Sequence, residues 1–415
     1  MTRRLRPLSP ARLASGPGPA RLALALGALA LLAVTPSAAA AKAKPIVAGA
    51  PVEVLLDGRR ELVGAAVAPD GTVYVSDRKA GVVWRLAPSG QLTRAAAGLR
   101  RPAGLALDAD RRLLIAEQQT GRVLRLEPAG TLSVLATGLK QPRWLALTPD
   151  GTLYISAQRL RLAAHRDEDD EDDEDAEDDG PRIIVRRAPG TGAISVVANG
   201  LRQLQGVAVN GHTLYAALKR VVGLAPVDGA VARFPLLPGG GLGAPSYLLS
   251  AGLERPVGLA LDRLGALYVT ASEVGPRGGK AKDAVGKIHP DGHLTEFARG
   301  LEDPQGAALG PDGSLYVADG DGGRLIRFRA PPAPAFTGLP EFTKLSSLIV
   351  TGTAPAHARV DVFVNDATTP TSVTATAGGT FTGAARWPRT RRARWRPSRR
   401  STGVTGSRRC RARPR

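Results

Sequence analysis

The chain has 415 residues, enough for two or three domains; 43% of them are hydrophobic and only 4% are aromatic. The formal net charge of +19 is typical of nucleic-acid-binding proteins, but residues 45–383 hold all 37 acidic residues and only 36 of the 56 Lys and Arg residues. The body of the chain is therefore close to neutral, which argues against nucleic-acid binding outside the two ends. A single cysteine, Cys410, excludes an intrachain disulfide and a cysteine-based metal site.

Residues 1–41 have the features of a signal peptide. Five arginines precede the apolar run Leu22–Val34, and small residues at Ser37–Ala41 match an Ala-x-Ala cleavage site. The apolar run is too short for an ordinary membrane-spanning helix. We expect an exported protein (periplasmic, cell-surface or secreted) that has no membrane attachment after cleavage; the alternative is an uncleaved anchor.

From Leu62 onward one pattern occurs six times, at spacings of 40 to 62 residues. Its first strand recurs as LVGAAV at Leu62, PAGLAL at Pro102, PRWLAL at Pro142, LQGVAV at Leu204, PVGLAL at Pro256 and PQGAAL at Pro304. Short aliphatic segments separated by Asp-Gly and other turn signals predict antiparallel strands. Repetition at this period predicts an all-β fold, a six-bladed β-propeller over residues 52–330.

The sixth copy stops after Ala330 without a fourth strand, while Val52–Asp57 forms an unmatched strand before the first copy. We expect this N-terminal strand to complete the sixth blade, because an open ring would leave an exposed sheet edge.

The repeat, P-x-G-[LV]-A followed by D-G-x-L-Y-V-[AS]-[DE] and G-R-[VL]-x-R, resembles the NHL-repeat family. More broadly it is similar to the six-bladed group that includes the gluconolactonase/lactonase and strictosidine synthase-like families. The resemblance implies a fold and not a chemistry, since such propellers include hydrolases, lyases, dehydrogenases and binding proteins. The lactonase-like pattern implies a glutamate that opens the first blade and asparagines on later inner strands; this chain has Leu62, Val63 and Gly64 at the first position.

Three consecutive copies carry insertions between their second and third strands. The third copy has an acidic insert at residues 160–181, where twelve of the thirteen residues from Asp167 to Asp179 are acidic; such a segment is predicted to be solvated and disordered. The fourth copy has KRVVGLAPVDG, with PLLPGGGLGAP as the alternative long element, and the fifth has SEVGPRGGKAKDAVG. One face of the ring is therefore expected to be elaborated by loops.

The C-terminal part of the chain changes character. Residues 331–345 are predicted to form a Pro-rich linker, and residues 346–383 resemble a partial bacterial Ig-like β module, which would be sandwich-like. Residues 384–415 form an Arg-rich tail, predicted to be disordered and interpreted as an out-of-frame or truncated reading. The alternative is a genuine basic tail that binds polyanions.

Two sets of side chains are candidates for a site at the central channel. Asp77, Glu117 and Asp319 end the second strands of three consecutive blades, so their carboxylates could converge on Ca²⁺ or act as acid and base; the favoured alternative is that they cap turns. The second set comes from the start of the inner strands: Arg143, Gln205 and Gln305 precede the glycine position, and Trp144 replaces that glycine. Trp144 beside Arg143 could form a stacking or anion-binding floor, or could fill the channel as packing.

These features predict an exported binding or scaffold protein whose elaborated face contacts a protein, a glycan or a small ligand, with no cofactor evident. The alternative is an enzyme, a Ca²⁺-dependent hydrolase, lactonase or lyase, with its site at the channel around Asp77, Glu117 and Asp319.

Overall fold

The computed structural model describes residues 45–160, 181–219, 229–248, 252–275, 281–332, 334–337, 347–356, 358–362 and 371–386. The predicted signal peptide, nearly all of the acidic insert and most of the Arg-rich tail lie outside these residues. No helix in the described ranges has the length and apolar character of a membrane span.

The described chain is built of short strands. Two N-terminal strands are β1 (Val47–Ala48) and β2 (Val52–Leu56). The next part of the chain contains β3 (Leu62–Val67), β4 (Val73–Asp77), β5 (Val82–Leu86), β6 (Leu92–Ala97), β7 (Pro102–Leu107), β8 (Leu113–Glu117), β9 (Arg122–Leu126), β10 (Leu132–Ala136), β11 (Leu139–Lys140), β12 (Leu145–Leu147), β13 (Leu153–Ala157), β14 (Arg159–Leu160), β15 (Pro181–Arg187) and β16 (Ile194–Arg202). Strands β11 and β14 pair with each other in a separate two-stranded sheet. They are followed by β17 (Leu204–Val209), β18 (Thr213–Leu218), β19 (Ala230–Pro235), a 3₁₀ turn (Pro238–Gly240), β20 (Ser246–Leu248), β21 (Leu253–Leu261), β22 (Leu267–Val274), β23 (Ala281–Ile288), β24 (Leu294–Arg299), β25 (Pro304–Leu309), β26 (Leu315–Asp319) and β27 (Arg324–Phe328).

Six antiparallel sheets with four principal strands each, here called blades 1 to 6, follow one another through the described residues. The blades are β3–β6, β7–β10, β12–β13–β15–β16, β17–β20, β21–β24 and β25–β27 with β2. The inner strand of each blade contacts the inner strand of the next, and β25 of blade 6 contacts β3 of blade 1. The predicted all-β propeller is confirmed, and its sheets close into a ring.

The core lies between the blades. Six clusters of buried hydrophobic side chains each join two neighbouring blades, and one of them packs Leu62 and Val75 of blade 1 against Tyr316 and Leu325 of blade 6. Both faces of a second strand are therefore buried, and β8 and β13 are buried along their whole length. This explains why the second strands are almost continuously aliphatic.

The N-terminal strand closes the ring as expected. Strand β2 pairs with β27, with Val52 opposite Phe328 and Val54 opposite Ile326. The sequence did not predict β1, which pairs with β24 and adds a fifth strand to blade 5.

The insertions differ in kind. In blade 4, residues 219–229 separate β18 from β19, and residues 236–245 separate β19 from β20, so both alternative segments are long connections between strands. In blade 5 the inserted residues mostly lengthen a hairpin: β22 and β23 have eight residues each and pair as far as Val274 with Ala281. The expectation of a loop over this whole stretch was wrong.

The C-terminal residues contain β28 (Ala335–Thr337), β29 (Ser347–Thr353), β30 (Arg359–Val362), β31 (Thr371–Thr374) and β32 (Thr380–Arg386). Strand β28 lies within the predicted linker and pairs with β29, so that segment is not linker throughout. Strand β32 extends to Arg386, three residues into the predicted tail. A small core of Val350, Val360, Val362, Ala375 and Phe381 stabilises these strands.

Candidate functional site at the channel mouth

The central channel has an aliphatic part and a polar end. The aliphatic part is a cavity of about 250 Å³ lined by the inner strands β12, β17, β21 and β25. These strands are the inner edges of their sheets, and edge strands leave backbone N–H and C=O groups without sheet partners. This part of the channel therefore offers main-chain groups and few functional side chains.

The polar end, here called the channel mouth, contains all four predicted inner-strand candidates. It is lined by Val63, Arg78, Ala103, Gln118, Arg143, Trp144, Gln205 and Gln305. The space among these side chains is only about 10 Å³, roughly enough for one water molecule. The ring is closed at this level, so a ligand would rest on the mouth and could not pass through it.

The structure brings Arg143 and Gln205 together. Arg143 Nη1 donates a hydrogen bond to Gln205 Oε1 at 2.5 Å, and Gln205 is only 3% exposed. The Arg143 backbone is held on both sides, because its N–H donates to Ser156 O at 2.8 Å and its carbonyl accepts from Gly104 N at 2.7 Å. The guanidinium therefore projects from a fixed backbone onto a buried partner.

Trp144 takes part mainly by packing. It replaces the glycine of the repeat, and β12 begins only at Leu145 and has three residues where the inner strands of blades 1 and 2 have six. The Trp144 side chain packs against the core between blades 3 and 4, which includes Tyr154 and Leu204. Of the two alternatives, the contacts favour packing, with one edge of Trp144 facing the mouth.

Sequence reasoning missed a set of polar residues that lie just before the first residue of a repeat. Five of them adopt positive φ angles between 45° and 62°: Arg101, Gln141, Gln203, Arg255 and Asp303. Non-glycine residues in this region are uncommon, and strained positions cluster at functional sites. The sequence does carry a signal for them, since each directly precedes the proline or leucine that opens a repeat.

Asp303 connects this set to the mouth. Its carboxylate accepts a hydrogen bond from the Gln305 side chain and lies close enough to Arg78 to feel its charge. Asp303 is partly accessible to solvent, but the surrounding protein removes part of its hydration, and this raises its pKa. The hydrogen bond from Gln305 lowers the pKa, and the nearby charge of Asp321 raises it further. Asp303 is thus a carboxyl group with a perturbed pKa beside a polar pocket, a combination typical of functional sites.

Asp77 and Glu117 do not point into a shared site. Asp77 Oδ1 accepts from Ala80 N at 3.0 Å, which is the predicted turn cap, and Oδ2 accepts from Arg60 N at 3.4 Å. Glu117 Oε1 accepts from Arg100 N at 2.8 Å, and its Oε2 binds Arg122 Nη2 at 2.7 Å. Each carboxylate fastens the segment before its own blade to the end of the second strand.

Asp319 repeats this arrangement in blade 6. Its Oδ1 accepts from Glu302 N at 2.6 Å, and its Oδ2 accepts from Arg324 Nη2 at 2.6 Å. Asp319 is 0% exposed, and this burial raises its pKa to about 6 against the opposing effect of Arg324. In all three blades, the carboxylate and the backbone N–H that donates to it are 17 residues apart in sequence. Asp77, Glu117 and Asp319 therefore have the same structural role in their blades.

The residues at the channel do not fit a metal ion. Ca²⁺ requires six to eight oxygen ligands, several of them carboxylates, whereas the mouth presents two arginines and no acidic side chain. Within the described ranges, no group of three or more His, Cys, Asp or Glu residues could hold a metal. The less favoured possibility, convergence of Asp77, Glu117 and Asp319 on Ca²⁺, is not seen among the described residues, because their oxygens accept hydrogen bonds at their own blades.

No protein-family model and no curated protein sequence matches the chain. Solved structures do match it. A gluconolactonase from Xanthomonas campestris is 18% identical, with a TM-score of 0.55, over 70% of this chain and 92% of that one. Regucalcin, a calcium-binding protein from Agrobacterium tumefaciens, is 19% identical, with a TM-score of 0.50, over 67% and 93%. A luciferin-regenerating enzyme is 12% identical, with a TM-score of 0.51, over 68% and 96%. The chain thus shares the β-propeller fold of these proteins.

Proposed function

We propose that the protein is a hydrolase of lactones or related esters that works at the channel mouth. One observation carries the proposal: a guanidinium (Arg143) and two carboxamides (Gln205 and Gln305) meet at one end of the channel, and Gln305 is hydrogen-bonded to the Asp303 carboxyl. The fold is shared with a gluconolactonase, and we propose the reaction class by analogy with that protein. This replaces binding or scaffolding as the leading interpretation.

The mouth and the adjacent Asp303 carboxyl together supply the groups for lactone hydrolysis. Asp303, when ionised, removes a proton from water while the water oxygen bonds to the lactone carbonyl carbon. The carbonyl electrons move to oxygen, where Arg143 stabilises the negative charge. When the ring C–O bond breaks, its electron pair remains on the ring oxygen, which takes the proton from Asp303. One water is consumed and one hydroxy acid is formed.

The test is acid release at constant pH with a panel of aldono-δ-lactones, γ-lactones and simple esters. We expect turnover above the uncatalysed rate, and a fall in kcat of about 10²-fold or more in Asp303→Asn, as for loss of a general base. Asp57→Asn is the matched control, because Asp57 is an exposed aspartate in a turn before blade 1. Hydrolysis that Asp303→Asn leaves unchanged would exclude Asp303 as the base.

Two other outcomes would redirect the assignment. Turnover that requires Ca²⁺ and is lost in EDTA would favour the metal-dependent hydrolase or lyase. Failure to hydrolyse any of the panel, together with ligand binding at the loop-bearing face, would restore a binding or scaffold function for a protein, glycan or small ligand.

We also propose that the repeats are of the NHL type, that residues 346–383 form part of an Ig-like module, and that the protein is exported. The repeat consensus and the strands β29–β32 support the first two proposals. Intact-mass analysis of natively expressed protein tests the third: cleavage near Ala39–Ala41 supports export, and a retained Met1 contradicts it. The same spectrum shows whether Arg415 is present.

A further inference from the structure

We propose that the outer surface of the ring binds a phosphate group at Arg59, Trp84 and Arg94, here called the Trp84 site. Trp84 and Arg94 lie on β5 and β6, the two outer strands of blade 1, and Arg59 lies in the segment between β2 and β3. None of these residues lines the channel mouth. The inference is therefore independent of the proposed hydrolase activity.

The fold holds the three side chains together. Trp84 and Arg94 are directly opposite each other on neighbouring antiparallel strands, so their side chains project from the same face of the sheet. The Trp84 ring packs against the core cluster between blades 6 and 1. Arg59 is anchored by its backbone, whose N–H donates to Gly323 O at 3.1 Å. The site is therefore built where the ring closes.

Two guanidinium groups lie against one indole ring. The Cζ atoms of Arg59 and Arg94 are 4.5 Å and 5.6 Å from the centroid of the Trp84 ring, which is the range of cation–π contacts. These contacts hold two positive charges in one small region of the surface. An anion bound between them would reduce the repulsion of the two like charges.

Neither arginine has a carboxylate partner in the described part of the chain. Within it, the side chains of Arg59 and Arg94 form no ion pair and no hydrogen bond. The acidic residues closest in sequence to Arg59 have other partners, since Asp57 Oδ1 accepts from the next backbone N–H at 2.7 Å and Glu61 forms an ion pair with Arg78. The charges of the Trp84 site are therefore available to a ligand.

Two N–H donors of the site are buried without an acceptor. They are Arg59 Nε and Trp84 Nε1, which have no hydrogen-bond partner among the described residues. Buried donors are normally satisfied, so two of them at one ring indicate a site for a ligand that carries oxygen acceptors. Arg59 is only partly buried, and its Nη atoms reach solvent. A ligand can therefore approach the guanidinium from outside the ring.

The charge of the site selects phosphate. Two positive charges favour a group that carries close to two negative charges at neutral pH over a carboxylate, which carries one. The planar fork of a guanidinium also matches the oxygens of a phosphate group. The ligand is therefore inorganic phosphate or a phosphate monoester.

The experiment follows the indole N–H signal of Trp84 by NMR in the ¹⁵N-labelled full chain at constant ionic strength. This signal reports on the site itself and not on phosphate bound to the Arg-rich tail, and its loss in Trp84→Phe assigns it. We expect a saturable shift with inorganic phosphate and no comparable shift with acetate or chloride. A similar shift with glycerol 3-phosphate would identify a phosphate monoester as the ligand, whereas a shift with inorganic phosphate alone would identify the free ion.

Variants test the two guanidinium groups. Arg59→Gln and Arg94→Gln should each weaken phosphate binding at least about tenfold, as for the loss of a hydrogen bond to a charged group. Arg85→Gln is the matched control and should bind as the wild type does, because Arg85 follows Trp84 on β5 and faces the other side of the sheet. Arg94 is exposed, so its replacement should leave the fold intact, which thermal unfolding verifies. The inference would be overturned by the absence of a saturable shift in the wild type, or by unchanged affinity in both Gln variants.

Discussion

The Ser76 hydroxyl links two blades: it donates a hydrogen bond to the carbonyl oxygen of Ala103 at 2.7 Å and accepts one from Gly64 N at 2.8 Å. Thr270 does the same between blades 5 and 6, accepting from Gly258 N at 2.7 Å and donating to Gln305 O at 2.5 Å. This second-strand position alternates around the ring between hydroxyl residues and alanine: Ser76, Ala116, Ser156, Ala217, Thr270 and Ala318.

We predict that Ser76→Ala lowers the free energy of unfolding by about 1–3 kcal/mol, because it leaves a buried N–H and a buried carbonyl without their shared partner. Ser246→Ala, on the exposed part of β20, should change the free energy by less than about 0.5 kcal/mol. Urea unfolding followed by circular dichroism measures both. Equal effects of the two substitutions would show that the link between blades has no energetic role.

Gly306 marks the contact that closes the ring. A Cβ atom at this residue would lie 2.3 Å from Val63 O, a backbone atom of blade 1 that cannot move aside. We predict that Gly306→Ala destabilises the ring by about 3 kcal/mol or more, at the upper end of the cost of overpacking. Gly211→Ala is the matched control, because nothing lies within 4 Å of its added methyl group. A wild-type denaturation midpoint for Gly306→Ala would contradict the close approach.

The raised pKa of Asp319 predicts that the stability of the protein depends on pH. Its pKa is raised by burial from 3.8 to about 6 in the folded state, so the folded protein binds more protons than the unfolded chain between about pH 4 and pH 6. The contribution of Asp319 to the free energy of unfolding of the wild type therefore falls by about 3 kcal/mol as the pH rises through that window. The stability of Asp319→Asn relative to wild type should increase by that amount from pH 4 to pH 7 in urea titrations; a difference independent of pH would contradict the shift.

Glu117 occupies the equivalent position with the opposite shift. Burial tends to raise its pKa, but hydrogen bonds from Thr120, Arg100 N–H and Arg122 lower it below the usual 4.5. Its stabilising contribution is present above the unfolded pKa and is lost as pH falls through the folded pKa. We predict that Glu117→Gln costs about 2–3 kcal/mol at pH 7 and progressively less below pH 4.5. A cost that is the same at pH 3.5 and pH 7 would contradict this assignment.

The repeat made the fold predictable, because the same strand pattern recurs six times and the missing fourth strand of the last copy has a counterpart before the first. Strand β1 was not predictable, since Val47 and Ala48 carry no alternating pattern and gain their order from β24. The residues before the inner glycine, Arg143, Gln205 and Gln305, line the same pocket.

The contacts of the three carboxylates and the positions of the positive-φ residues could not be predicted from the sequence. Asp77, Glu117 and Asp319 end equivalent strands, but the sequence does not show that the segment before each blade folds back onto the same carboxylate. No sequence motif identifies Asp303 as a site residue, because its hydrogen bond with Gln305 depends on a backbone conformation with φ near 62°.

The pairing of β2 with β27 has a consequence for how the chain folds. Glu53 and Arg329 form an ion pair across 276 residues of sequence, and contacts this distant in sequence slow folding, because the entropy of closing the intervening loop is lost before any contact forms. Blades 1 to 5 can assemble their own hairpins in turn, whereas β2 must remain without its partner until β27 has been synthesised. Removal of either β2 or β27 would disrupt the same blade, so these two strands are one unit in stability although they lie far apart in sequence.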